Sequence, residues 1–153
     1  MPEDATTIGE EDVLRAPLVL EYPFNRTTGP VIGAFLTGLR EGRFIGILSE
    51  QNNVLFPPVE YDPVTGGPLT KLVPLGTEGE VVNWSWNNSV REGQPFDRPF
   101  AWAMIKIDGA DTPILYAVDV EQGQIEVGLR VRARFATERT GTIADLECFE
   151  PAS

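Results

Sequence analysis

A chain of 153 residues with 12 basic and 23 acidic side chains carries a formal net charge of −11. It is long enough to bury one core without disulfide staples, and acidic enough to repel phosphate backbones unless basic groups cluster locally. The absence of histidine and the presence of one cysteine, Cys148, exclude the usual general base, the Ser-His and Cys-His catalytic pairs, an internal disulfide and a cysteine-built zinc site.

Residues 1–16 are acidic and show no apolar period, which predicts a mobile leader ordered only on a partner. A secretory signal would be basic and then apolar, and no apolar run reaches the length of a membrane span. The expectation is a cytoplasmic protein that binds neither membrane nor nucleic acid. The stretch "PLVLEYPF" (17–24) reads as an extended segment that packs on something. Residues 28–42, "TGPVIGAFLTGLREG", hold the predicted helix. Thr28 is placed to cap it, Pro30 lies in its first turn and Gly42 closes it. Ile32, Phe35, Leu36 and Leu39 recur at i, i+3, i+4 and i+7, forming an apolar stripe that must dock on its own domain or on a second chain.

"RFIGILS" (43–49) reads as a strand. The run after it, "NVLFPPVEYDPVTGG" (53–67), is too rigid and turn-rich for a helix or a central strand, and predicts a loop held in one shape. From residue 78 the pattern is all strand. "EVVNWSWN" is expected to put Val82, Trp84 and Trp86 on one face, and "FAWAMIKI" to set Ala101, Ala103, Ile105 and Ile107 against Phe100, Trp102 and Met104. "PILYAVDV", "RVRARFAT" and "ADLECFEP" complete five strands separated by Gly, Pro and Asp turns. That spacing predicts a small barrel of the oligosaccharide/oligonucleotide-binding (OB) type, with "VEQGQIEVG" as the crossover between its third and fourth strands.

Arg130, Arg132 and Arg134 alternate along one strand and could clamp a phosphate, but a solvated face paired with the abundant carboxylates is the expected role. Trp84, Trp86, Phe96, Phe100 and Trp102 could stack bases. At this net charge a protein-facing surface is expected instead. Asp108 and Asp111 fall where a hairpin turn belongs. Cys148 alternates with Leu146 and Ala144 as a buried strand position, with no visible activator. No catalytic residue is expected.

The order of these parts resembles a family of acyl-CoA-associated proteins, long catalogued as a domain of unknown function, with an N-terminal helix, a rubredoxin-like zinc ribbon and a C-terminal OB-fold. The family's second Cys-x-x-Cys knuckle follows a Pro-Pro. Here that run is Phe56-Pro57-Pro58-Val59-Glu60-Tyr61-Asp62-Pro63-Val64-Thr65-Gly66, with Asp62 and Thr65 at the cysteine positions. The first knuckle falls near Leu48 and Gln51, with Asn52 at the glycine, so all four ligand positions are substituted. "GTEGEVVNWSWNN", "PFDRPFAWAMIKIDG" and "IEVGLRVRARF" are similar to the family's first, second and fourth barrel strands. The likeness spans about 28–150.

The resemblance implies a mainly β chain. It has an acidic leader and extended segment (1–27), a helix with a degenerate, cysteine-free ribbon (28–75) and a five-stranded OB-fold barrel (76–153). It implies no metal, no cofactor and no catalytic residue. It also implies a partner: a thiolase-like, lipid-transfer-protein-like aldolase subunit in a two-plus-two hetero-oligomer, which holds most of the acyl-CoA substrate. The likeness is closest to accessory subunits of steroid side-chain retro-aldolases, so the chain is expected to serve a carbon–carbon lyase without being an enzyme by itself. The expected partner surface is Ile32, Phe35, Leu36, Leu39, Phe56, Pro57, Pro58, Tyr61, Trp84 and Trp86. The alternative is a stand-alone OB module that binds acyl-CoA or nucleic acid.

Overall fold

Two chain breakers frame the helix α1, Gly29–Arg40, in this computed structural model, which describes residues 16–152. Pro30 occupies the first turn, where its missing N–H costs nothing. At the other end Gly42 adopts φ +73°, its amide donates to Leu39 O at 3.0 Å, and the Arg43 amide donates to Gly38 O at 2.8 Å. This pair of bonds closes the helix as a Schellman motif, which needs the left-handed residue that glycine supplies. The expected cap is corrected: the Thr28 side chain makes no capping bond, and Thr27 Oγ1 accepts from the Gly29 amide instead. The leader expected over 1–16 lies, but for Ala16, outside the described residues.

The helix packs on a three-stranded antiparallel sheet ordered β2-β1-β3, made of β1 (Phe44–Leu48), β2 (Val54–Leu55) and β3 (Leu72–Leu75). Its buried face is Val31, Phe35 and Leu39, with Gly38 between. A Cβ on Gly38 would lie 2.9 Å from Ile45 Cγ1, so the helix sits against β1 with no room for a side chain there.

Five strands close the barrel in the order β4-β5-β6-β8-β7: β4 (Glu78–Asn87), β5 (Phe100–Ile107), β6 (Ile114–Val118), β7 (Arg130–Phe135) and β8 (Leu146–Pro151). β4 pairs with β7 to complete the circuit, and β6 meets β8 in parallel. This is the mainly β architecture expected, with the crossover over 120–128 carrying one 3₁₀ turn at Gln122–Gln124. On β5 the alternation holds from Ala101 to Ile107, with Ala101, Ala103, Ile105 and Ile107 fully buried; Phe100, expected on the other face, is buried too, against Phe96 and Trp102.

β4 departs from the expected alternation. Its register with β5 shifts between Val81 and Asn83, a β-bulge that lets Val81 enter the core and turns Val82 outward. Beyond the bulge Trp84 pairs with Ala103 and Trp86 with Ala101.

Helix, sheet and barrel share one core. Phe44 on β1 packs at a tilt against Phe56 with centroids 4.8 Å apart, against Phe135 of β7 at 5.5 Å and against Phe149 of β8 at 6.1 Å. Phe35 of the helix meets Phe56 edge-on at 5.9 Å. Val31, Ile47, Leu55 and Leu69 form a smaller cluster beside it. The turn between β5 and β6 ties the two sheets by backbone. Asp111 accepts from the Val54 amide at 2.7 Å and its own amide donates to Val54 O at 2.8 Å. Thr112 Oγ1 accepts from the Phe56 amide at 2.7 Å and donates to Phe56 O at 3.0 Å.

Candidate partner interface

The two turns where the resemblance places the zinc knuckles are built without a metal donor set. Asn52, aligned with the family's glycine, has φ 62°, a left-handed conformation that Asn tolerates better than most residues. Gly66 has φ 74°. Between the turns sits Asp62, almost wholly buried. Its Oδ2 accepts from the Glu50 amide at 2.9 Å, and its Oδ1 accepts from the Val64 and Thr65 amides at 2.8 and 3.1 Å. These bonds, led by the one from Glu50, hold its pKa below the ordinary 3.8. Both oxygens of the one carboxylate among the four aligned positions are thus spent on backbone amides, and Leu48 offers no donor atom. The donor set does not fit zinc, which takes thiolate, imidazole and carboxylate ligands in a tetrahedron. Among the described residues no buried side-chain nitrogen or oxygen lacks a partner, so no orphaned atom waits for an ion.

The three arginines of β7 are all engaged. Arg130 pairs with Asp108 and Glu78, Arg132 with Glu150, and Arg134 with Asp119 at 2.9 Å, Glu150 at 2.9 Å and Glu147 at 3.4 Å. Burial alone would raise Asp119, but hydrogen bonds from Arg98 and Arg134 outweigh it and hold its pKa below the ordinary value. A phosphate arriving here would have to displace these carboxylates. Cys148 is fully buried, and burial pushes its thiol up to about 12. At neutral pH it is protonated and no nucleophile.

The ten side chains expected to meet a partner divide sharply. Phe35, Leu39 and Phe56 belong to the protein's own core, at most 5 % exposed, and Pro58 is buried too. Their contribution to an outer surface is corrected: the apolar stripe docks on β1 and the barrel, and Phe56 fills the space between them. Ile32, Leu36 and Trp86 are half-buried, with Leu36 and Trp86 packed on the core. Pro57, after a cis Phe56–Pro57 bond, is exposed. Tyr61 is 62 % and Trp84 38 % exposed.

Two apolar surfaces were missed among the expected site residues. One is a groove of about 490 Å³ on the outer face of the barrel, lined by Trp102, Leu115, Tyr116, Ile143 and Leu146. A second hollow shares Trp102 and Leu115 and extends it to Trp84 and Met104. Tyr116 hydroxyl bonds to Ile143 O and Leu146 O hold one wall. Asp145 anchors the adjoining loop by accepting from the Thr140 and Gly141 amides at 3.0 and 2.7 Å. The other surface is the segment 17–24, in which Leu18, Val19, Leu20, Tyr22 and Phe24 are each 65–80 % exposed. Its apolar residues were visible in the sequence; that they stay exposed among the described residues was not.

A family model described as "ChsH2, C-terminal OB-fold domain" matches residues 72–136. No curated protein matches the chain. Among solved structures, a DUF35-family protein of unknown function from Sulfolobus solfataricus is similar at 18 % identity and a TM-score of 0.62, covering 82 % of this chain and 87 % of its own. A chain of the "Ltp2-ChsH2(DUF35) aldolase" is similar at 18 % identity and a TM-score of 0.58, over 84 % of this chain and 100 % of that one. Among the described residues, no helix is long and apolar enough to cross a membrane. The family resemblance drawn from the sequence therefore stands: the barrel is similar to the ChsH2 C-terminal OB-fold domain, and over 82–84 % of the chain the fold is similar to these two DUF35 chains.

Proposed function

We propose that this chain is a non-catalytic accessory subunit of an aldolase complex, which binds and stabilises a thiolase-like acyl-CoA enzyme in the retro-aldolase step of steroid side-chain degradation. The observation that carries this reading is the similarity to a chain of the Ltp2–ChsH2(DUF35) aldolase along that chain's whole length. The surface chemistry supports it. Large apolar side chains stand exposed at Trp84, Leu115 and Ile143 along the barrel groove, and at Tyr61 in the 53–67 loop, as protein-facing surfaces do. The titratable groups work against catalysis in this chain: the carboxylates of lowered pKa serve amides and arginines, and the only thiol is buried. The acyl-CoA thioester would be held mainly by the partner in a two-plus-two assembly.

Co-expression with a neighbouring thiolase-like gene tests the reading. An equimolar complex that cleaves a steroid acyl-CoA aldol, with neither chain active alone, is the expected result. A chain that purifies alone beside such a neighbour would overturn it.

A further inference from the structure

β4 runs on past the strand that closes the barrel against it. β7 pairs only with Glu78, Gly79 and Glu80, and the Val81 amide and carbonyl are taken by Leu129 O and the Gly128 amide. Beyond the bulge β4 continues to Asn87 with β5 on one side, and among the described residues no strand pairs with its other side. Val82, Asn83, Trp84 and Ser85 are all exposed. The Trp84 amide donates to Asn83 Oδ1 at 2.8 Å rather than to β5, so Trp84 faces the open side. Successive residues of a strand alternate between its two edges, and the register with β5 is unbroken from Asn83 to Asn87. Trp84 and Trp86 therefore present their N–H and C=O groups to the open side, while Asn83, Ser85 and Asn87 turn theirs to β5.

Sheet edges are ordinarily guarded by charge, proline, a bulge or a covering element. The run 82–90, "VNWSWNNSV", carries no charge and no proline, and the bulge lies at its base, before the exposed part. The adjoining side chains on the neighbouring strands, Trp102, Met104 and Leu115, are uncharged too. We infer that two copies of this chain pair antiparallel through their β4 edges, Val82–Asn87, around a two-fold axis, joining the sheets of two barrels.

Both halves of this contact are the same strand, already extended and already missing a neighbour. A two-fold contact uses one surface twice and closes after two chains. The open N–H and C=O groups of Trp84 and Trp86 in one copy then meet their complement in the other, and the Asn83 side chain gives up its local bond to the Trp84 amide. Charge favours this site for a like copy. Two chains of net charge −11 repel each other, and the 82–90 run brings no carboxylate to the contact. β6 also has a partly unpaired side, since it meets β8 only at Val118. There the Tyr116 hydroxyl, bonded to Ile143 O and Leu146 O, holds a turn beside the strand, so β4 pairs with β4 and the assembly does not propagate.

The pairing concerns this chain alone and does not depend on the accessory-subunit reading. The full chain is compared by sedimentation equilibrium and amide hydrogen exchange as wild type, Ser85→Glu and Leu115→Glu. Wild type is expected to reach twice the monomer mass, with exchange at the Trp84 and Trp86 amides slowing by about tenfold or more as concentration rises through the dimerisation range. Ser85→Glu sets a carboxylate beside the open edge of both copies and is expected to weaken dimerisation by about tenfold or more. Leu115→Glu lies in the barrel groove, two strands from the edge, and is expected to dimerise within about twofold of wild type. Both positions are exposed, so circular dichroism of the variants should match wild type. A wild type that stays monomeric at every concentration overturns the pairing. So does a dimer that Leu115→Glu disrupts and Ser85→Glu spares, which would place the contact in the groove. A wild-type dimer whose Trp84 and Trp86 amides exchange as fast as the monomer's overturns it as well, whatever the variants do.

Discussion

The carboxylate of Asp62 accepts the backbone amide of Glu50 across a 2.9 Å hydrogen bond, joining two turns twelve residues apart in sequence. With the Val64 and Thr65 amides on its other oxygen, one buried side chain cross-links both turns. An acceptor-only carboxylate suits the task, because every group facing it is a donor. Asp62→Asn keeps the shape but turns part of the acceptor into a donor that confronts an amide. The expected result is a melting temperature several degrees lower with the same fold by circular dichroism, read by thermal denaturation. A variant as stable as wild type would show that the ribbon does not depend on this bond.

The same bonds set a pH dependence. Asp62, Asp108, Asp119, Asp145 and Glu150 all have folded pKa values below their ordinary ones. A carboxyl whose pKa is lower folded than unfolded binds fewer protons in the folded state, so its contribution is complete above the unfolded value. It is lost as pH falls through the folded value. Stability against urea should be flat from neutral pH to about pH 5, then fall steeply below about pH 4. For Asp62→Asn the acid limb should be shallower, as one titrating group is removed.

Cys148 provides a measure of barrel closure. With its thiol buried on β8 and raised to about 12, it should resist a disulfide reagent at pH 8 in the native protein and react fully in guanidinium. Fast native labelling would mean that β8 leaves the barrel readily.

Phe35 and Tyr61 separate core from surface. Phe35→Ala is expected to cost about 3–5 kcal/mol in denaturant unfolding, the usual range for an emptied aromatic site. Tyr61→Asp, at a position 62 % exposed, should change stability by no more than about 0.5 kcal/mol. Its test is therefore assembly: complex formation with the thiolase-like chain is expected to weaken while the monomer is unaffected.

Thr112 tests the strap between the sheets. Thr112→Val retains the shape but strands both the N–H and C=O of Phe56, each now bonded to the hydroxyl. Unmade backbone bonds at this depth should cost about 1–3 kcal/mol, measured by urea titration.

How much of this was legible in the sequence follows from the range of each interaction. β5 could be read residue by residue, because small and branched side chains alternate without interruption from Ala101 to Ile107. β4 was misread at Val82, because Val81-Val82 offers two equivalent candidates and only pairing with β5 decides which one enters the core. The helix stripe was correct at Phe35 and Leu39 but rotated elsewhere. Val31 is the third buried position, and Ile32 and Leu36 lie at the margin. Its direction could not be read, since an amphipathic helix looks the same whether it docks at home or abroad. Phe56 illustrates the same limit: beside two prolines it reads as a presented loop residue, and only Phe35 and Phe44, both distant in sequence, draw it inward. For Asp62 the resemblance located the position but not its work, since the Glu50 amide comes within reach only after both turns form.

The placement of β8 bears on how the protein is made. Its strand is inserted between β6 and β7, and its Phe149 completes the aromatic cluster around Phe44. During synthesis neither the barrel nor that cluster can be finished until residue 151 has left the ribosome. Phe44 and Phe56 must therefore wait for Phe135 and Phe149, which come from the last fifth of the sequence, before their cluster is complete. Assembly that requires the completed barrel must wait for β8.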